Sequence, residues 1–319
     1  MPSTPEPKSP LEALPQPLGI DEIFEHTSDA PQIIESFLPL GCSLDWELGQ
    51  LYYLQRGNSA FLNGEVPYLV NNDGILATRA AEVFFTSLEE RANSGAAVSD
   101  PQALEFGAGS CLFARGFLLA FARLSRERGR HYHERLTYVV ADHSRPMLED
   151  AQRCGVFPEG SRVRLALANA VEQRFEWLDG GEPAEQFDGV FLNYLLDCLP
   201  ATIIRRKGGA LEQLLVQTEA AKNAAVSDSR GVRERLEAYA SGKNGDRAGL
   251  IDLFPLFRLR CRYQPAREED LPYFGTISPL LGEGNPALHS YAAIACLEGC
   301  MAKLRRRIRA VQRLPFGTG

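Results

Sequence analysis

The chain has 319 residues, 45% of them apolar, and a formal net charge of -7, so it is long enough to bury a large core. An acidic balance argues against nucleic acid as the main partner, because phosphate binding needs a basic face. No uninterrupted apolar run approaches the length of a bilayer span, and seven scattered cysteines without a Cys-x-x-Cys pair suit a reducing, cytoplasmic compartment rather than a disulfide framework.

Residues 1–18, rich in Pro and Ser with acids mixed in, read as a disordered lead-in with neither a secretory nor a transit pattern. Residues 19–100 read as a helical or lid segment. Within it Ser43 to Arg56 carries Leu44, Leu48, Leu51 and Leu54 at helical spacing and stops at Gly57-Asn58. After a loop from Asn63 to Gly74, Thr78 is placed to cap a second helix that runs to about Ala92 with Ala81, Phe84, Phe85 and Leu88 inward. Residues 101–218 then alternate as a parallel sheet requires. Strands are expected at Ala103–Phe106, Leu136–Ala141, Val163–Leu167 and Phe187–Leu192, and helices at Leu112–Arg128 and Pro146–Arg153.

After Pro200 the pattern predicts a hairpin: Ile203 to Arg206, a Gly208-Gly209 turn, then Leu211 to Val216. Residues 219–284 read as the C-terminal part of the core with a variable substrate region. Ala220 to Gly249 is small, polar and expected to be mobile, and Phe257 to Tyr263 alternates apolar residues with arginines as a half-buried antiparallel strand does. Residues 285–319 read as a long amphipathic helix capped by Asn285 with Pro286 in its first turn. Its seam of Ile294, Leu297, Met301, Leu304, Ile308 and Val311 could pack on its own domain or meet a partner or a second copy. Cys296 and Cys300, one turn apart, fit burial beside that seam.

The most informative stretch is Leu104-Glu105-Phe106-Gly107-Ala108-Gly109-Ser110, a strand running into a small-residue turn and a helix. Glycines let a ligand approach the backbone, and the first helical turn offers unpaired N–H groups. The second strand ends on Asp142, placed to accept ribose hydroxyls. Ala168-Asn169-Ala170 follows the third strand, with an amide able to meet an adenine edge, and Asn193-Tyr194 follows the fourth. All four are carboxyl ends of neighbouring strands, where open α/β sheets bind ligands. Where a dinucleotide turn wants its third glycine stands Leu112, and Glu105 suits a cationic ligand better than a pyrophosphate. A nicotinamide-dependent oxidoreductase is therefore disfavoured. His131, His133 and His143 lack acids or cysteines at ligand spacing, so no metal site is expected.

On these residues the chain resembles the class I S-adenosylmethionine-dependent methyltransferases, and within them the MidA family, over about Leu48 to Val216. Asn72 to Thr78 with Phe84-Phe85, Leu104 to Gly109, Val139 to Leu148, Asn193 to Pro200 and the following hairpin are each similar to that family's motifs. The resemblance implies a Rossmann-like α/β sheet with helices on both faces, a helical N-terminal extension, an inserted hairpin and a long C-terminal helix. It implies S-adenosylmethionine as cofactor, S-adenosylhomocysteine as product, and a protein side chain (arginine or another amine) or a small molecule as methyl acceptor. It also implies cofactor contacts from Thr78, Glu105, Gly107, Ala108, Gly109, Asp142, His143, Asn169, Ala170 and Asn193, with Asn193, Tyr194 and Asp197 on the acceptor side. Two positions depart from the family. Cys111 replaces its third glycine and is expected to crowd the methionine part of the cofactor, and Tyr194 replaces a glutamate. Those departures keep open a rival reading, a methyltransferase-like scaffold acting through protein contacts.

Overall fold

The computed structural model describes residues 31–57, 73–180, 186–220 and 254–305. The lead-in, the Asn63 loop, most of Ala220 to Gly249, and Ile308 and Val311 of the seam lie outside the described residues.

A parallel sheet is built from β2 (Gln102–Phe106), β3 (Thr137–Asp142), β4 (Arg162–Asn169) and β6 (Gly189–Phe191), with the antiparallel β5 (Arg174–Trp177) on its far edge. The spatial order is β5-β4-β3-β2-β6. The chain moves outward from β2 to β4 and then returns to β6 on the other side of β2, which makes the end of β2 the topological switch point.

Period-two alternation along β2 and β3 fills two cores. Ala103, Tyr138 and Val140 face α2 (Ile75–Asn93), α3 (Leu112–Glu127) and α5 (Arg145–Arg153). Phe84, Phe117, Phe121 and Phe191 join them in that core, and each fully buried phenylalanine contributes about 2 kcal/mol. Leu104, Phe106, Val139 and Ala141 face Ala292, Cys296 and Cys300 of the last described helix, numbered α7 below. Helices thus cover both faces.

A second sheet is antiparallel. Its centre is β8 (Ala210–Ala220), paired along one edge with β9 (Phe257–Pro265) and along the other with β7 (Thr202–Lys207) and β1 (Gln32–Pro39) in succession. β10 (Ala287–His289) pairs with β7. The β7–β8 turn is Gly208-Gly209, both at positive φ, as a two-residue hairpin of this hand requires. Helix α1 (Leu44–Arg56) buries Leu44 and Leu48 against this sheet, and the Ser43 hydroxyl accepts from the Trp46 N–H as its cap.

Three sequence expectations are corrected. Thr78 does not cap α2, which begins at Ile75 with the Asp73 carboxylate accepting the Ile75 N–H at 2.9 Å. The expected helix from Asn285 begins only at Tyr291 (α7, Tyr291–Lys303), because Ala287–His289 is held as a strand by β7. Nor does its seam mark the buried face: Ala292, Ala293, Cys296 and Cys300 are buried, while Leu297 is 40% and Met301 64% exposed. Two short α-helices, α4 (Tyr132–Arg135) and α6 (Phe274–Ile277), and four 3-10 turns complete the described elements. No helix among the described residues is long and apolar enough to cross a membrane.

Past α7 the chain returns to the parallel sheet. Phe187 donates to the Lys303 carbonyl and accepts from the Arg305 N–H, both at 2.9 Å. The next residue, Asp188, is buried; it accepts the Gln102 N–H at 2.8 Å and pairs with Arg91 and Arg305.

Candidate functional site

The carboxyl ends of β2, β3, β4 and β6 open into one cavity of about 700 Å³, a size suited to a nucleoside-bearing ligand. Glu105, Gly107, Ala108, Gly109, Asp142, His143, Asn169, Ala170, Asn193, Tyr194 and Asp197 all line it. Thr78 does not; it sits half-buried in the first turn of α2.

Asp142 ends β3 and ties two loops together. One carboxylate oxygen accepts the Gly109 N–H at 2.9 Å and the other the Ser144 N–H at 2.8 Å, so the acid fixes the glycine turn as well as its own. His143, beside it, has its pKa raised by its hydrogen bond to Asp142, with the Nδ1–Oδ1 separation 3.3 Å. Gly107 has φ +67, and a Cβ there would lie 3.0 Å from a Leu195 methyl, so both handedness and space call for glycine. The Ser110 hydroxyl in the same turn is buried without a partner among the described residues.

Glu105, expected from the sequence to suit a cationic ligand, is buried at the cavity floor. It is 1% exposed, lies in register with Val140 and Phe191, and its Oε2 accepts from the Tyr138 hydroxyl at 3.0 Å. Burial pushes its pKa up to about 8; the nearby Asp142 charge adds to that, and the Tyr138 bond opposes it.

Cys111 corrects another expectation. The residue is left-handed, φ +61, which is the conformation a glycine would supply. Its side chain is fully buried in the core shared with Tyr138, away from the cavity lining, and its thiol donates weakly to the Gly109 carbonyl at 3.5 Å. It does not crowd the cavity.

Asn169 spends its side-chain oxygen on the Val171 and Glu172 N–H groups, each at 3.0 Å, which turns its amide nitrogen outward as a donor. At the other end Tyr194 is 57% exposed and left-handed, φ +50, and its carbonyl accepts from the Cys198 thiol at 3.6 Å. Helix α1 supplies residues that no local motif marks. Gln50 donates to the Cys198 carbonyl at 2.8 Å, and Tyr53 has its pKa raised by burial and then by Cys198 and Asp197. Tyr291 and Ala292 at the start of α7 close the opposite wall, with Met147 of α5 also present.

A parallel α/β sheet whose glycine turn, ribose-type acid and two further strand ends share one cavity defines a nucleotide-cofactor protein of the class I methyltransferase type. The profile of the family described as "Putative S-adenosyl-L-methionine-dependent methyltransferase" matches residues 81–302, and the chain belongs to that family. Two crystal structures from Burkholderia thailandensis are similar. One, described as a "likely methyl transferase" bound to S-adenosyl-homocysteine, is 17% identical with a TM-score of 0.48, covering 84% of this chain and 56% of that one. The other, an uncharacterized protein of the same superfamily, is 19% identical with a TM-score of 0.47, covering 85% of this chain and 55% of that one. The chain thus spans a little over half the length of these two proteins. No curated protein matches it.

Proposed function

We propose that the chain is an S-adenosylmethionine-dependent methyltransferase acting on an amine-bearing protein side chain, arginine included, in the cytoplasm, with residues 101–218 as the cofactor-binding core. The observation that carries the reading is the cavity where the glycine turn, Asp142, Asn169 and Asn193 meet. The residues fit the cofactor: Asp142 has lone pairs left for ribose hydroxyls, the Asn169 amide donates toward adenine, and the unpartnered Ser110 hydroxyl lies in the turn that meets the methionine end. Bound S-adenosylmethionine supplies an electrophilic methyl group on a sulfonium. Asn193 orients the attacking amine through its side-chain oxygen, the exposed Asp197 carboxylate takes up the proton lost, and Tyr194 walls the entrance.

The scaffold reading drew on Cys111 and Tyr194; burial of Cys111 in the core removes the first of these, while Tyr194 stays in the cavity wall in place of the family's glutamate. A helix-mediated contact through the exposed Leu297 and Met301 is compatible with catalysis. Titration calorimetry with S-adenosylmethionine, followed by transfer of labelled methyl to lysate proteins, tests the reading. Binding and labelling are expected; no heat from a folded protein overturns it.

A further inference from the structure

Glu105 and Asp142 both line the cavity beside the glycine turn, and they are held differently. Asp142 is engaged by backbone N–H groups on both oxygens. Glu105 sits beneath the glycine turn with a phenol as its hydrogen-bond partner. Among the described residues, the titratable groups facing it are Tyr138 and Asp142 from β3 and Cys111 from the start of α3, and none is a cation. From β6 it meets Phe191 in register, and the α2 and α3 side of the core is aromatic. An acid so placed keeps its proton until a positive charge arrives.

Resting on the methyltransferase reading above, we propose that Glu105 discriminates the charged sulfonium cofactor from its neutral thioether product by exchanging its own proton for the ligand's positive charge. Binding of the sulfonium releases one proton to solvent and leaves a carboxylate–sulfonium pair. On transfer, the acceptor nitrogen's lone pair forms the new C–N bond, the C–S bonding pair stays on sulfur, and the amine loses one proton. The sulfur is then neutral, and Glu105 takes a proton back from solvent. The product no longer satisfies a buried carboxylate and is bound more weakly. S-adenosylhomocysteine keeps the same ammonium and carboxylate as the cofactor, so the pair of ligands isolates the sulfonium charge.

The test is calorimetry of the full chain with each ligand between pH 6 and 8, in two buffers of different protonation enthalpy. S-adenosylmethionine is expected to release close to one proton at pH 7, where a group with pKa about 8 is mostly protonated, and its affinity to rise toward tenfold per pH unit. S-adenosylhomocysteine is expected to release no such proton and to change less than about twofold over the range. Glu105→Gln abolishes the release and flattens the cofactor profile while leaving product affinity unchanged. Tyr138→Phe, which removes the bond opposing the raised pKa, shifts the profile to higher pH. Cofactor binding without proton release, or equal release with both ligands, overturns the proposal. Failure of a folded protein to bind either ligand overturns the methyltransferase reading instead.

Discussion

The ends of β2 and β3 lie side by side and face the same cavity, yet they hold their acids in opposite ways. On β3, Asp142 stands where the chain turns, and the turn's own N–H groups meet it; it is a structural tie as well as part of the cavity lining. On β2, Glu105 is level with Val140, two residues before Asp142, so its side chain points to the same face one step deeper, beside Phe117, Tyr138 and Phe191. Two residues along the strand direction keep the face but exchange backbone donors for an aromatic core.

Asp142→Ala tests the tie most severely. Two buried N–H groups lose a charged acceptor, so denaturant unfolding is expected to show a loss of about 3 kcal/mol. Calorimetry is expected to show cofactor affinity reduced about 100-fold. Glu105→Gln tests the other side. Because the folded pKa lies above the unfolded value, the folded state holds the proton more tightly. Its contribution is complete below about pH 4.5 and is lost as pH rises toward about 8. Thermal unfolding of the wild type is expected to weaken across that window by up to about 1.4 kcal/mol per pH unit relative to the glutamine variant, with the two equal near pH 4. Parallel curves would mean that burial does not raise the Glu105 pKa.

Gly107→Ala places a side chain at positive φ against Leu195 and is expected to cost about 2 kcal/mol by chemical unfolding. Thr78→Val, outside the cavity, is expected to change stability by less than about 0.5 kcal/mol and cofactor affinity by less than about twofold.

The parallel sheet was legible because each strand is a short buried apolar run ending in a turn residue. The strand-end residues of the site were legible for the same reason. β1, β5 and β10 were not. Gln32–Pro39 breaks alternation at two register shifts, and Arg174–Trp177 and Ala287–His289 are too short to carry a period. Asn285-Pro286 imitates a helix start, but pairing with β7 outweighs local capping. The apolar residues of α7 run round most of the helix, so spacing alone could not say that the small Ala292, Cys296 and Cys300 face inward. Gln50 and Tyr53 reach the site from a distant helix, and such proximity has no local signature. The handedness at Cys111 decides where its thiol points, and residue type alone does not encode it.

The fastening of Phe187 and Asp188 by residues 303–305 has a consequence for folding cooperativity. β6 is only three residues long and carries Asn193 and Tyr194 just beyond it, so its own ladder to β2 is a weak anchor. The clamp at its start, made by chain more than a hundred residues later, joins the β6 side of the cavity to the same unfolding unit as α7. Amides of β6 and α7 should therefore exchange with solvent together, and loosening the segment after Lys303 should open the β6 edge of the sheet before its glycine turn.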